Sequence, residues 1–369
     1  MPTAIPILDR PIRLAVVGLG QIAELMVPAY LGRDDVDVVA GCDLDRERLE
    51  RWRPDLPGAL LTTDLDELLR VDADVVDVLV PTYLHAEVAV AVLEAGFHVQ
   101  LQKPIARNAE DCERIIAAAR RNGAQLRVLE DYVFFPPLVK LREIVGSGEI
   151  GDPVGLHLKV VNTGRGGWDV LPTSLEWQFE QTSDGRGMLV FDHGWHQLAV
   201  AIWLFGPIKR IFGWIGSTEI VPGLALDAPA TLVWEHEGGL RGVLDITLAV
   251  DTYFKSEFYS CDERVEVTGQ RGAVRCNRIS SFGRQEPSVE VYRDGEIRSY
   301  HALTEGGDAG FAASAAHMVD LFRGRTTDPL MGADMADTVL TALLYALESS
   351  QVGTPLDVPT HDQASAPSR

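Results

Sequence analysis

The sequence is poor in basic residues and contains no long apolar run. It has 33 Lys and Arg against 54 Asp and Glu, a formal net charge of −21. Such a charge argues against a nucleic-acid backbone or an anionic membrane surface as the main partner, because both are polyanions. No apolar run approaches the roughly 18 residues that a membrane-spanning helix needs. Residues 1–10 also lack the basic and apolar segments of a secretion signal, so neither export nor membrane insertion is expected.

Cysteine is also scarce. The four cysteines, Cys42, Cys112, Cys261 and Cys276, are scattered along 369 residues, and none forms a C-x-x-C pair. This usage is typical of reduced thiols in a cytoplasmic enzyme and predicts neither a disulfide framework nor a metal centre.

The first part of the chain alternates short apolar runs with amphipathic segments. Strands are predicted at residues 14–17, 36–42, 75–80, 97–101 and 125–129, and helices at 45–52, 84–95 and 109–121. The strands are mainly apolar runs that do not alternate in polarity, as expected when helices cover both faces of a parallel sheet. Repeated β-α units of this length predict an α/β Rossmann domain, a doubly wound parallel sheet, over residues 1–130.

The pattern changes after residue 131. A helix at 136–146 is followed by several β-rich stretches with two-residue alternation and short turns, and helices return at 310–322 and 333–349. This pattern predicts an α+β domain over residues 131–358 with a large, mainly antiparallel open sheet, and a flexible tail at 359–369. The last helix could pack back on the Rossmann domain. One open sheet face would need a cover, so a homo-oligomer through this sheet is expected.

A glycine-rich turn directly follows the first predicted strand. It reads Gly18-Leu19-Gly20-Gln21-Ile22-Ala23, a G-x-G-x-x-A pattern that opens a helix. The first glycine permits the tight turn and the second lets a pyrophosphate approach the backbone. Ala23 allows the helix to pack closely on the strand, and the helix N-terminus offers N–H donors to phosphate. The pattern predicts a dinucleotide-binding site that includes Gly18, Gly20, Gln21 and Ile22.

The choice of dinucleotide depends on Asp43, which ends the second predicted strand. A carboxylate there accepts hydrogen bonds from the adenosine ribose and disfavours a 2′-phosphate, so NAD is preferred over NADP. Two alternatives stay open. Asp43 could simply cap the following helix, and Arg46 or Arg48 could reach a phosphate.

Two further places carry candidate catalytic residues. Lys103 directly follows the predicted strand 97–101, at the sheet edge where ligands bind, although an ordinary turn lysine would look the same. Asp192 and His196 are four residues apart, so on a helix they would share a face, and a carboxylate near an imidazole suits a general base. A buried structural histidine is the alternative. His193 and His196 have metal-ligand spacing, but no third ligand is evident, so no metal is expected.

These residues resemble those of the Gfo/Idh/MocA family, the glucose–fructose oxidoreductase, inositol dehydrogenase and rhizopine-catabolism family, along nearly the whole chain. The resemblance rests on Gly18–Ala23, Pro81-Thr82-Tyr83-Leu84-His85, Lys103-Pro104, Gly148-Glu149-Ile150-Gly151-Asp152-Pro153 and Asp192-x-x-x-His196. Several linked motifs in the family's order are more specific than any one of them. The family acts mainly on sugars, cyclitols and related polyols, and it assembles into dimers and tetramers through its sheet domain.

The resemblance implies roles for individual residues. Lys103 would hydrogen-bond the reacting hydroxyl and His196 would take its proton, aided by Asp192, while a hydride passes to the nicotinamide. Besides the glycine-rich turn and Asp43, the cofactor would contact Lys103 and the residues Pro81, Thr82, His85 and Gln102. The candidates for the substrate pocket are Tyr132, Trp168, Trp177 and His193, although core packing would explain either tryptophan equally well.

Two departures from the family pattern stand out. Gln102 replaces the family's usual Glu before Lys-Pro, and a neutral amide cannot stabilise protonated Lys103 through charge. Ala199 and Val200 occupy a region after His196 in which relatives often have an acidic residue, which makes the nature of the substrate pocket uncertain.

The chain is therefore expected to be an NAD-dependent dehydrogenase acting on a secondary hydroxyl of a sugar, cyclitol or glycoside. Two alternatives stay open: a glycosidase that keeps NAD bound and uses transient oxidation, and a non-catalytic regulator that binds the dinucleotide only as a ligand.

Overall fold

The structure, a computed structural model, describes residues 10–167, 185–222, 224–255, 260–277, 286–301, 303 and 307–359. The chain divides into two compact units. Unit 1 comprises Met1–Glu130 and Phe311–Leu340, and unit 2 comprises Asp131–Gly310 and Thr341–Arg369. Each unit is described separately below.

Unit 1 contains a parallel six-stranded sheet in the order β3-β2-β1-β4-β5-β6. Its strands are β1 (Ile12–Val17), β2 (Val36–Cys42), β3 (Leu60–Thr62), β4 (Val75–Val78), β5 (His98–Gln102) and β6 (Leu126–Leu129). Its helices are α1 (Ala23–Leu31), α2 (Arg46–Trp52), α3 (Leu65–Leu68), α4 (His85–Glu94) and α5 (Ala109–Arg121). The predicted doubly wound fold is confirmed, and the strand order reverses between β1 and β4, where such sheets bind ligands.

Local sequence explains both ends of α5. At the start of α5, the side chain of Asn108 accepts a hydrogen bond from Asp111 N–H at 2.8 Å. The helix is followed by Gly123 at φ +62°, a conformation that favours glycine. Strand β3 was not predicted, because three residues at the sheet edge are too few to show a periodic pattern.

Unit 2 is organised around a nine-stranded sheet in the order β16-β15-β14-β13-β7-β12-β11-β8-β17, in which β7 and β12 are parallel and the other neighbours antiparallel. Its strands are β7 (Pro153–Arg165), β8 (Ile208–Ile215), β11 (Ala230–His236), β12 (Arg241–Tyr253), β13 (Cys261–Gly269), β14 (Gly272–Asn277), β15 (Val289–Arg293), β16 (Glu296–Tyr300) and β17 (Leu356–Asp357). A separate hairpin pairs β9 (Thr218–Val221) with β10 (Leu224–Leu226). The predicted large, mainly antiparallel sheet is confirmed.

The helices of the second part of the chain are α6 (Pro136–Gly146), α7 (Gly194–Phe205), α8 (Gly307–Phe322) and α9 (Ala333–Val352). Residues of α8 from Phe311 onward and of α9 up to Leu340 belong to unit 1.

A π-helical segment, Met188–His193, directly precedes α7. The side chain of Asp227 holds its start by accepting hydrogen bonds from Leu189 N–H at 2.8 Å and Val190 N–H at 2.7 Å. Asp192 N–H donates to Gly187 O at 3.1 Å, a bond across five residues. The uninterrupted α-helix assumed for Asp192 and His196 is therefore not formed, and the four-residue spacing alone does not place them on one face.

Candidate active site

The glycine-rich turn between β1 and α1 is closed by backbone contacts. Gly18 has φ +94°, and its N–H donates to Cys42 O at 2.8 Å. A Cβ built on Gly18 would lie 2.7 Å from the carbonyl carbon and oxygen of Leu79. Only glycine satisfies both the backbone angle and the close approach to the end of β4.

Gly20 serves a different purpose in the same turn. A Cβ built there meets only Arg48 Nη1, at 3.6 Å, among the described atoms within 4 Å outside the turn itself. The protein therefore leaves room beside Gly20 for a ligand to approach the backbone. Ala23 is fully buried at the start of α1, so the helix packs closely where the turn ends. This arrangement fits the pyrophosphate of a dinucleotide, with Gln21 and Ile22 in the same turn.

Asp43 connects this turn to the end of β2. Its Oδ2 accepts a hydrogen bond from Leu19 N–H at 2.8 Å, and its Oδ1 accepts one from Asp45 N–H at 2.9 Å. The cap of α2 is Asp45, which accepts from Glu47 N–H at 2.9 Å. Asp43 is therefore not the cap of that helix. Its carboxylate instead connects the glycine-rich turn to the loop after β2. Arg48 Nη1 lies 3.6 Å from Asp43 Oδ2.

The loops after β4 and β5 are joined by His85. Its Nδ1 lies 2.8 Å from Pro104 O and its Nε2 3.0 Å from Val80 O. The side chain is fully buried, and burial lowers the pKa of His85 to about 4. His85 thus lies inside the fold, where it can influence a cofactor by positioning these loops.

Lys103 lies in the second of these loops. Its backbone N–H donates to Gln102 Oε1 at 2.6 Å, so the amide that replaces the family's Glu shapes the loop itself. The Lys103–Pro104 peptide bond is cis. In the loop after β4, Pro81 precedes a 3-10 turn that begins with the buried Thr82.

Unit 2 groups several aromatic and titratable side chains around His196. The rings of Tyr132 and His196 stack with centroids 4.2 Å apart at 12°. His196 Nδ1 lies 3.7 Å from Asp131 Oδ1, and the His193 ring centroid lies 5.9 Å from that of His196. The structure therefore places an imidazole beside a carboxylate, an arrangement that suits a general base, and Asp131 supplies that carboxylate.

Glu263 is a buried acidic residue at the centre of this group that was not predicted from the sequence. Its carboxylate accepts hydrogen bonds from Tyr132 O–H at 2.9 and 3.0 Å, from Gln197 Nε2 at 3.4 Å and from His193 Nε2. Burial opposes ionisation, but His193 and Tyr132 outweigh it and hold the pKa of Glu263 below its usual range. The available indication was a carboxylate at an alternate position of β13 whose other inward positions hold the apolar residues Cys261, Val265 and Val267.

The remaining predicted site residues are placed as follows. Asp192 lies in the π-helical segment one residue before His193. Trp168 and Trp177 lie outside the described residues. Ala199 and Val200 are fully buried in α7, so this part of the helix contributes to the core. No helix among the described residues is long and apolar enough to span a membrane.

Comparisons with known proteins identify the family of this chain. The profile of an oxidoreductase family with an NAD-binding Rossmann fold, GFO/IDH/MocA, matches residues 12–130, and the C-terminal domain of the same family matches residues 138–275. A 1-carboxy-3-chloro-3,4-dihydroxycyclohexa-1,5-diene dehydrogenase of Comamonas testosteroni is 35% identical over 51% of this chain and 46% of its own length. The D-glucoside 3-dehydrogenase of Escherichia coli K12 is 32% identical over 54% of this chain and 55% of its own length. The chain thus spans about half the length of these two relatives.

A solved structure extends the likeness to nearly the whole fold. An oxidoreductase from Agrobacterium radiobacter, crystallised with NAD+, L-tartaric acid and magnesium, superposes with a TM-score of 0.78 at 18% identity. The superposition covers 94% of this chain and 98% of that one.

Proposed function

Because the chain belongs to the GFO/IDH/MocA oxidoreductase family, we propose that it is an NAD-dependent dehydrogenase of a secondary hydroxyl group on a sugar, cyclitol or glycoside. The observation that carries this proposal is the pairing of His196 with the Asp131 carboxylate at 3.7 Å, because oxidation of a hydroxyl needs a group that accepts its proton. The two relatives support the substrate class, since their names describe dehydrogenation of a hydroxylated ring and of a glucoside.

NAD would be held by the described residues of unit 1. The turn at Gly18 and Gly20, with Gln21 and Ile22, would accommodate the pyrophosphate, and Asp43 would accept hydrogen bonds from the adenosine ribose. Pro81, Thr82 and Gln102 belong to the loops that would contact the rest of the cofactor. When bound, NAD supplies the acceptor for the hydride.

The proton chemistry falls to side chains of this chain. His196 would take the hydroxyl proton. The Asp131 carboxylate, and the Asp192 carboxylate as a second one, would stabilise the resulting imidazolium. Lys103 would donate a hydrogen bond to the substrate oxygen as negative charge develops there. The substrate C–H bond would break with both electrons leaving as hydride, which balances the loss of the proton.

A screen of polyols, cyclitols and glycosides with NAD tests this function. A dehydrogenase accumulates NADH in proportion to the oxidised product. A glycosidase that keeps its NAD would release an aglycone without net NADH, and a regulator would bind NAD with neither result. Loss of turnover in His196→Ala with unchanged NAD affinity would support the assignment of the base, and full turnover in that variant would refute it.

We also propose that the protein acts as a homo-oligomer assembled through the unit 2 sheet. Among the described residues, five large hydrophobic side chains on its strands are more than half exposed: Val154, Trp214, Tyr253, Tyr292 and Ile297. Exposed apolar surface of this kind favours association. Light scattering on the wild type and on Trp214→Arg tests this, and a monomeric wild type would refute it. The four cysteines are buried and form no disulfide bond within the described part of the chain, which also favours the reducing cytoplasm as its location.

A further inference from the structure

We propose that His193, Cys261 and Glu263 form a binding site for a divalent transition metal, with Zn²⁺ as the preferred ion. The sequence showed two histidines with metal-ligand spacing but no third ligand. The structure instead brings His193 to two residues from a distant strand.

The placement of the ligands follows from strand geometry. Cys261 and Glu263 are two residues apart on β13, so their side chains leave the same face of the sheet. His193 ends the π-helical segment that precedes α7 and brings its ring to that face. One ligand atom from each of the three residues lies within 4.8 Å of the other two. A single metal ion can therefore contact all three after small side-chain adjustments.

The three donors differ chemically and together select a metal class. An imidazole nitrogen, a sulfur and a carboxylate oxygen are the three donor types that bind Zn²⁺ in proteins. Sulfur and nitrogen disfavour Mg²⁺ and Ca²⁺, which prefer oxygen ligands. Three protein ligands leave one position of a tetrahedral zinc open, the arrangement found in catalytic rather than structural sites.

Burial and the outer hydrogen bonds are also suited to a metal. Cys261 and Glu263 are buried, while the His193 side chain is 14% exposed, so the site is closed by protein except near the histidine. Tyr132 O–H and Gln197 Nε2 hydrogen-bond the Glu263 carboxylate, as outer groups commonly do for a ligating carboxylate. Within the described residues, buried Gln197 Oε1 has no hydrogen-bond partner, and a metal-bound water could donate to it.

The competing explanation is a metal-free ion pair between His193 and Glu263. Such a pair would not involve the sulfur of Cys261, so a substitution of Cys261 distinguishes the two explanations. A role for the metal in polarising the substrate hydroxyl rests on the proposed function, whereas metal binding itself does not.

The test uses the full-length protein, freed of metal by a chelator and titrated with Co²⁺ and then Zn²⁺ without NAD or substrate. A thiolate ligand gives Co²⁺ an intense near-ultraviolet charge-transfer absorption, and tetrahedral coordination gives strong visible bands. We expect both to saturate at one equivalent and to disappear when Zn²⁺ is added. Cys261→Ser should remove the charge-transfer band and weaken Zn²⁺ binding by about tenfold or more.

Cys276→Ser is the matched control, because Cys276 is buried on the neighbouring strand β14 opposite Val265 and outside the ligand group. It should keep the wild-type spectrum. The site is refuted if the wild type binds no metal stoichiometrically, or if Cys261→Ser and Cys276→Ser give equal spectra. Metal binding without NADH formation on any tested substrate would refute the dehydrogenase and leave the site intact. NADH formation by protein that binds no metal would refute the metal site and leave the dehydrogenase intact.

Discussion

The two glycines of the dinucleotide turn should respond to the same substitution in opposite ways. In Gly18→Ala, the new Cβ must accept φ +94° and would lie 2.7 Å from the Leu79 carbonyl. The backbone angle alone costs about 1–2 kcal/mol for a residue with a Cβ. Displacement of the Leu79 backbone adds to this, so we expect the free energy of unfolding to fall by roughly 2–4 kcal/mol.

Gly20→Ala should leave the fold intact. Its Cβ would meet only Arg48 Nη1 outside the turn, at an ordinary contact distance of 3.6 Å. We therefore expect the free energy of unfolding to change by less than about 0.5 kcal/mol. The methyl group would instead occupy the space through which the pyrophosphate approaches, so the Kd for NAD should rise by about tenfold or more, equivalent to about 1.4 kcal/mol.

Urea unfolding followed by circular dichroism gives the stabilities, and calorimetric titration with NAD gives the affinities. The reasoning fails if Gly20→Ala binds NAD as tightly as the wild type, because the space beside Gly20 would then not be the cofactor site. It also fails if Gly18→Ala unfolds at the wild-type urea concentration.

Three further predictions follow from buried groups and from the loop at Lys103. Arg127 is fully buried, donates to Ser314 Oγ at 2.7 Å and helps to compensate the charge of the buried Asp77 carboxyl. Arg127→Met should therefore lower the free energy of unfolding by about 3–5 kcal/mol. An unchanged midpoint in urea unfolding would contradict this. His236 donates from Nδ1 to Gly206 O and accepts at Nε2 from Trp234, and burial lowers its pKa below the usual 6.5. The imidazole of His236 takes up a proton at higher pH in the unfolded chain than in the folded one, so the free energy of unfolding should decrease as the pH falls below about 6.5. In thermal melts at several pH values, His236→Gln should show a smaller decrease. The same dependence on pH in the wild type and the variant would refute the assignment. Gln102→Glu should retain turnover but shift its pH profile, because a carboxylate would stand beside Lys103; an unchanged profile would remove this electrostatic effect.

The Rossmann fold was predictable because its determinants are local. Continuous apolar strands, the Asn108 cap and the glycine-rich turn each indicate structure within a few residues of themselves. Strand β3 escaped because three residues cannot establish a period, and its place is set by pairing with β2.

The unit 2 group was only partly predictable, because its members meet through tertiary structure. His196 was indicated by the family motif. Its neighbouring carboxylate, Asp131, comes from the segment that precedes α6, and the carboxylate beside His193, Glu263, comes from the distant strand β13. The π-helical segment that positions His193 depends on Asp227, thirty-odd residues further along the chain. Sequence spacing near His196 could not reveal either relation.

The central claim is that this chain passes a hydride directly from a substrate carbon to NAD. The most direct measurement uses the best substrate of the screen, deuterated at the carbon that bears the reacting hydroxyl, with mass spectrometry of the NADH formed. We predict that the deuterium appears at the nicotinamide C4 of the NADH. We also predict that unlabelled substrate in heavy water gives NADH without deuterium at C4. Deuterium that is lost to water, or taken up from heavy water into the nicotinamide, would contradict the account.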